Sequence, residues 1–328
     1  MIQPCGHSPR RIGLVVNPAS AASRDQSSRL RQLTHALQQA GHPWESAVTQ
    51  GPGDGIRIAR DLASRCGLLL AVGGDGTFCE VAGGILLASP SPETTSRPVL
   101  APVSFGTGND VARLSGFRRD DALLKAIERW TLGNLHPVER DLLEVRCHND
   151  GAEIVRHAFL FAGVGIASDI LRYTTPTVKR WFGPQLSYAV GFFRALAAWN
   201  PATLRVQTGR GRLAEPLVVA LAANAPHAGG GGMKIAPGAL LDDGLADVSL
   251  IRALGRLAIA RQFLSLASGT HVRHPNVDYF RSAYLTVDAD VPMPVAADGD
   301  VVGHTPARIR TLHRAIRVLR AMGSHLNC

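Results

Sequence analysis

Two glycine-rich segments hold the residues best able to do chemistry: Gly73-Gly74-Asp75-Gly76-Thr77 and Gly106-Thr107-Gly108-Asn109-Asp110. Each follows a short apolar run, Leu68–Val72 and Val99–Val103. Glycine lets the backbone approach a ligand closely, so that main-chain N–H groups can face phosphate oxygens. A helix starting just after such a turn adds the positive end of its dipole. Thr77 and Thr107 supply hydroxyl donors. The pattern G-x-x-x-x-G-K-[ST] is absent, so the phosphate would be held by backbone without a Walker lysine. Asp75 is the odd member. A carboxylate beside phosphate holds Mg2+, accepts a proton from a nucleophile, or caps the following helix.

Such loops work only where strand ends lie side by side. Arg11–Val16 reads as a buried strand that stops at Asn17-Pro18, which places Asn17 at the same edge. Leu30, Leu33 and Leu37, three and four apart between Arg24 and Ala40, predict an amphipathic helix that Gly41 ends. A strand near Trp44–Thr49 and a helix over Ile56–Ser64 precede Leu68–Val72. A helix after Thr77, a Ser/Pro-rich loop at Ser89–Pro98, the strand Val99–Val103 and a helix from Asn109 follow. Strands alternating with helices predict a parallel α/β sheet, and ligands of such sheets bind outside the carboxyl ends of the strands. Near Val138 the rhythm changes. Asp141–Cys147, Val155–Phe161, Leu217–Ala223, Ala246–Ile251 and Ala283–Asp288 read as strands, interrupted by Thr177–Trp199 and a helix near Leu257–Ser268. The alternation of apolar and basic residues over Arg308–Val318 predicts a half-exposed hairpin.

Composition sets the broad class. A chain of 328 residues suits two domains rather than one core. Hydrophobic residues at 45% and charged residues at 19% make an ordinary globular balance. Aromatics, at 5%, leave little for a base-stacking platform, so no nucleic-acid partner is expected. The formal charge of +9 favours anionic partners such as anionic phospholipid or nucleotide. Five scattered cysteines without C-x-x-C spacing indicate neither a zinc site nor a disulfide framework, which suits a reducing cytoplasm. The N-terminal segment lacks the apolar region of a signal peptide, and no stretch approaches the ~18 apolar residues that span a bilayer. His227, His271, His274 and His304 have no metal-ligand spacing and read as ordinary loop histidines.

The motifs together resemble the diacylglycerol kinase catalytic family, which also holds sphingosine, ceramide and bacterial lipid kinases. Val15-Val16-Asn17-Pro18 matches the family's opening strand. Gly73 to Val81 matches G-G-D-G-T-x-x-E-V, with Cys79 where Asn is usual before Glu80. Gly106 to Arg113 matches G-T-x-N-D-x-A-R, with Ser104-Phe105 replacing the usual proline and its neighbour. Asn224, Gly229-Gly230-Gly231, Ala236–Ala239 and Leu241–Val248 match the downstream G-G-G…P-x-A…D-D-G-x-x-D-V segment. The resemblance covers nearly the whole chain. It implies an α/β N-terminal nucleotide domain with a parallel sheet, residues 1–137 with the returning segment 305–328, and a C-terminal β-sandwich for the lipid, residues 138–304.

By the same resemblance the activity is ATP- and Mg2+-dependent phosphorylation of a lipid hydroxyl, on diacylglycerol, ceramide or a sphingoid base. Asn17, Gly73, Gly74, Gly76, Thr77, Gly106, Thr107, Gly108 and Asn109 are the implied nucleotide contacts. Asp75 is a candidate general base or Mg2+ organiser. Asp300, in Asp298-Gly299-Asp300 where the family has D-G-E, shares that candidacy, and the sequence leaves the two undecided. Asp242, Asp243 and the Leu245 carbonyl match a second, structural cation site, or else form a solvated turn. Asp169, ending Phe161–Asp169, either binds the lipid head or is a surface carboxylate. Lys179-Arg180-Trp181-Phe182, Phe192-Phe193-Arg194 and Trp199 have the makings of an interfacial element, or of a helix packed on the sandwich. The expected location is cytoplasmic, peripheral to the inner face of the membrane, and a homodimer is compatible. The alternatives are an NAD kinase-like enzyme, which shares G-G-D-G-T, and a nucleotide-binding regulatory or lipid-binding protein with weak or no kinase activity.

Overall fold

The computed structural model describes residues 11–20, 24–88, 97–105, 109–117, 120–174 and 176–321; for 24–26 and 176–185 it describes backbone only. The chain divides into two compact units, Met1–Glu139 with Ala315–Asn327, and Arg140–Arg314.

The first unit runs β1 (Ile12–Val16), α1 (Arg24–Gln39), β2 (Trp44–Val48), α2 (Asp54–Ala63), β3 (Leu68–Gly73), α3 (Asp75–Ala88), β4 (Val99–Ser104), α4 (Asp110–Leu114) and α5 (Asp120–Thr131). β1 pairs in parallel with β2 and β3, and β3 in parallel with β4. Every residue of β1 and β3 is buried, as expected of strands covered on both faces. Their even-numbered residues, such as Leu14, Leu70 and Val72, share a core with Leu33 and Leu37 of α1 and with Leu123, Ile127 and Trp130 of α5. α2 and α3 pack against each other and contact β3. They can approach closely because α3 carries Gly84, where a Cβ would lie 2.4 Å from the Ile56 carbonyl oxygen.

The second unit holds most of β5 (Val138–Asn149), then β6 (Ala152–Ala158), β7 (Phe161–Gly165), α6 (Ile166–Tyr173), α7 (Pro176–Ala198), β8 (Ala202–Thr208), β9 (Gly211–Ala223), β10 (Ala246–Arg252), α8 (Arg256–Ser265), a 3-10 turn at Thr270–Arg273, β11 (Val277–Ser282), β12 (Tyr284–Ala289), β13 (Pro294–Ala297) and β14 (Asp300–Val318). β7, β9, β10 and β11 form an antiparallel row, and β13 joins β7 to β14. Ala220, Ala222, Val248 and Leu250 face a core shared with Val164 and Leu285. On the other face, Val219, Leu221 and Ala223 pack with Phe192 and Leu196 of α7 and Ile259 of α8.

The hairpin expected over Arg308–Val318 is not formed. β14 is one strand of 19 residues that pairs with β13, β12 and, through Arg317 and Val318 in the first unit, in parallel with β4. A period of two marks a strand but not a reversal, and this stretch has no Gly or Asn to turn it. Arg314, at φ 46°, marks a local irregularity within the strand.

Candidate functional site

The carboxyl ends of β1, β3 and β4 place the first cluster. The Gly74 carbonyl accepts the N–H of Phe78 at 3.2 Å, so α3 starts directly after β3 and leaves its first-turn N–H groups without helical partners. Asn17 ties β1 to that turn. Its N–H donates to the Val72 carbonyl at 2.9 Å, its Nδ2 donates to Thr77 Oγ1 at 3.2 Å, and its Oδ1 accepts the Ala19 N–H at 3.0 Å. Gly73 must be glycine, because a Cβ there would lie 2.3 Å from Thr77 Oγ1. Gly73→Ala is expected to lower stability by about 1–3 kcal/mol through overpacking, read as a drop in denaturation midpoint. The Gly73 carbonyl accepts the Phe105 N–H at 3.0 Å. Arg29 lies 4.7 Å over the Phe105 ring and makes a two-pronged pair with Asp120 at 2.8 Å, so the base of the second loop is clamped. Gly106, Thr107 and Gly108 themselves lie outside the described residues. Asn109, at φ 53° and ψ 35°, precedes α4.

The Asp75 carboxylate accepts the N–H groups of Asp110 at 3.2 Å and Val111 at 3.1 Å. It thereby caps α4, a helix distant in sequence. The carboxylate is half-buried, and both of its oxygens take part in holding the start of α4. Glu80 plays a matching structural part, for it accepts the N–H groups of Gly53 at 2.6 Å and Gly55 at 3.0 Å, at the start of α2. Nothing in the sequence pointed to that pairing, since the partners are 25 and 27 residues away.

In the second unit the Asp298-Gly299-Asp300 turn divides its labour. Asp298, at φ 45°, accepts the N–H groups of Phe159 at 2.5 Å, Leu160 at 2.8 Å and Phe161 at 2.8 Å. Asn224, fully buried, donates to the carbonyls of Phe159 and Asp141. Asp300 is exposed. The Asp242–Leu245 turn is an arrangement of ion pairs and caps. Asp242 meets Arg140 at 2.7 Å, Asp243 accepts the Leu245 N–H at 3.0 Å and faces Arg281 at 3.4 Å, and buried Asp141 accepts the Gly244 N–H at 2.7 Å. Arg140 and Arg281 thus supply positive charge beside these two carboxylates. Among the described residues no three His, Cys, Asp or Glu side chains gather as a metal site. Asp169 is half-buried on α6, and burial raises its pKa against the pull of Arg172 at 3.9 Å.

α7 spans most of the stretch expected to be interfacial, and the side chains of Lys179, Arg180, Trp181 and Phe182 lie outside the described residues. Phe192 and Trp199 are buried in the core, whereas Phe193 is exposed. The same face of the second unit carries a partly open apolar cavity of about 130 Å³, lined among others by Phe161, Ile166, Ile170, Leu221, Ile259 and Phe263. His271, read from the sequence as a loop histidine, is buried and lines this cavity. Its burial depends on the 3-10 turn folding back, which no spacing rule signals.

Comparison with known proteins places both units. Residues 11–141 match the model of the diacylglycerol kinase catalytic domain, and residues 164–320 match that of the YegS C-terminal NAD kinase beta sandwich-like domain. A diacylglycerol kinase of Bacillus subtilis (strain 168) is 26% identical over 94% of this chain and 96% of its own. A YegS-like lipid kinase of Chromohalobacter salexigens is 29% identical over 99% and 97%. A crystal structure described as a diacylglycerol kinase from Bacillus anthracis str. Sterne superposes with a TM-score of 0.65 at 18% identity, over 96% of this chain and 98% of that one. That last likeness concerns the fold.

Proposed function

The chain belongs to the lipid kinases of the diacylglycerol kinase catalytic family, and from that premise we propose that it transfers the γ-phosphate of ATP to a hydroxyl of diacylglycerol, ceramide or a sphingoid base. The observation that carries the lipid side of this reading is the apolar cavity of the second unit, whose lining suits an acyl chain. On the phosphate side, N–H groups at the start of α3 and the glycine-rich loop ending at Asn109 meet the nucleotide, with Asn17 bracing the turn. Mg2+ arrives with ATP as part of the donor and neutralises charge that develops on the phosphates. Asp75, held by two backbone N–H groups, takes the acceptor's hydroxyl proton or steadies the metal-bound phosphates. Phosphoryl transfer through a loose transition state asks little of the base and much of positioning.

The test is transfer of labelled γ-phosphate from ATP to diacylglycerol, ceramide and sphingosine in mixed micelles. Phosphorylation of NAD without any lipid surface would replace this reading with an NAD kinase-like one. Nucleotide retention without turnover on any acceptor would leave a binding protein.

A lipid substrate requires the protein to reach a membrane, and no helix of the described residues is long and apolar enough to cross one. The docking face we propose is formed by α7 and α8. Phe192 and Phe263 stack at 3.8 Å between ring centres and join the two helices. Leu186 and Phe193 on α7, and Leu257 and Leu264 on α8, are each seven residues apart and 55–68% exposed. Neither helix contains an acidic residue, while Arg194 and Arg261 lie among the exposed groups. Apolar side chains flanked by cations fit an anionic phospholipid surface, here the inner face of the membrane seen from the cytoplasm. Changing Leu257 and Leu264 together to Ser is expected to weaken co-sedimentation with phosphatidylglycerol vesicles roughly a hundredfold, at about 1.5 kcal/mol per leucine. Unchanged co-sedimentation would remove this face from consideration.

A further inference from the structure

The apolar cavity adjoins the Asp298-Gly299-Asp300 turn at two places. Phe161, which lines the cavity, is bound to Asp298 in both directions. Its N–H donates to the Asp298 carboxylate at 2.8 Å, and its carbonyl accepts the Asp298 N–H at 3.1 Å. The second place is Tyr188 on α7. Tyr188 and Phe192, four residues apart on one helical face, both line the cavity. The Tyr188 ring edge approaches the glycine loop that the Ala228–Met233 pairing closes, with Cδ2 3.8 Å from the point a Cβ on Gly229 would occupy. Its hydroxyl oxygen lies 3.8 Å from the point a Cβ on Gly299 would occupy. The phenol therefore runs from the cavity wall to the turn that carries Asp300.

Tyrosine suits such a boundary, because its ring is apolar and its tip is polar. Among the described polar side chains that line the cavity, Ser249, Gln262 and His271 are buried, and Tyr188 alone is partly exposed. A chain lying in the cavity brings its polar end to this hydroxyl. The reacting oxygen of the acceptor is the wrong partner for it, since a bound donor would weaken that oxygen as a nucleophile toward phosphorus. A carbonyl only accepts, and it takes no part in the transfer. In diacylglycerol the nearer ester carbonyl is a few bonds from the free hydroxyl, and ceramide has its amide carbonyl in a similar place. A sphingoid base has none.

We propose that Tyr188 positions the acceptor lipid, its hydroxyl donating a hydrogen bond to the carbonyl beside the reacting hydroxyl. The acyl chain then lies in the cavity and the reacting hydroxyl at the Asp300 turn. The inference rests on the lipid kinase reading above. It narrows that reading to acceptors that carry such a carbonyl, diacylglycerol and ceramide rather than a sphingoid base.

Tyr188→Phe keeps the ring and removes only the oxygen. The full-length parent and this variant are compared on dioctanoylglycerol and on its dioctyl ether analogue, which has the same hydroxyl and chains but no carbonyl. The parent is expected to use the ester about tenfold better than the ether in kcat/KM. Tyr188→Phe should bring the two within about twofold, while keeping the parent's KM for ATP and its melting temperature. A variant that loses both substrates alike overturns the proposal, because a merely structural tyrosine would do that. So does a variant that retains the tenfold preference, and so does a parent that shows none. The shift in melting temperature with each lipid, taken without ATP, reads the same preference as binding. If neither lipid is phosphorylated but the parent binds the ester more tightly and Tyr188→Phe does not, the kinase reading alone fails.

Discussion

Asp75→Asn is expected to lower the rate of lipid phosphorylation by about two to three orders of magnitude, with the protein still folded at the assay temperature. The carboxylate has one role seen in the structure and one proposed, and the substitution touches both. As a cap it accepts the N–H groups of Asp110 and Val111, and an amide keeps only one oxygen to do so. That loss costs about 2 kcal/mol, because bonds to a charged acceptor are the stronger kind. In its proposed role beside the phosphates it loses its charge and its proton affinity altogether. Thermal denaturation and turnover measured on the same sample separate the two. A lowered midpoint with unchanged kcat would mean that Asp75 only holds α4 in place, and the proposed catalytic role would fall.

The second large effect concerns stability. Asp298→Ala is expected to destabilise the protein by about 3–5 kcal/mol, since it strips three consecutive backbone N–H groups, Phe159 to Phe161, of their acceptor. These groups lie at the turn into β7, with Phe159 and Leu160 buried, so water cannot readily replace the carboxylate. Asp300→Ala should disturb folding far less, because that side chain is exposed. Its effect on turnover then reports on chemistry. Denaturant titration of both variants gives the contrast, and equal loss of stability would show that the division of labour in this turn is misread.

The candidate site was legible in sequence to the extent that it is built from contiguous residues. Gly73–Thr77 follows a strand that is apolar on both faces, and that succession of period and glycine is local information. The roles of the acidic residues, in either unit, were not legible. Asp75 accepts the N–H groups of Asp110 and Val111 at the start of α4, 35 and 36 residues on, a partner that no local pattern names. Glu80 serves α2, and Asp298 rather than Asp300 holds the buried turn. Each carboxylate is recruited by whichever unsatisfied N–H groups the packing leaves nearby, and sequence distance does not constrain that.

The sequence alone thus determined where backbone could approach phosphate, because glycine and strand burial are properties of short windows. It also determined that the rhythm changes near Val138, because helical and extended periods differ within a few residues. Only the tertiary structure decided that β14 runs on as a single strand of 19 residues, since pairing partners choose between a hairpin and an extension. It alone brought Leu221, Phe192 and Ile259 to one cavity, from a strand and two helices. Burial removes water from all three at once, and desolvation is a property of the assembled surroundings that no single segment carries.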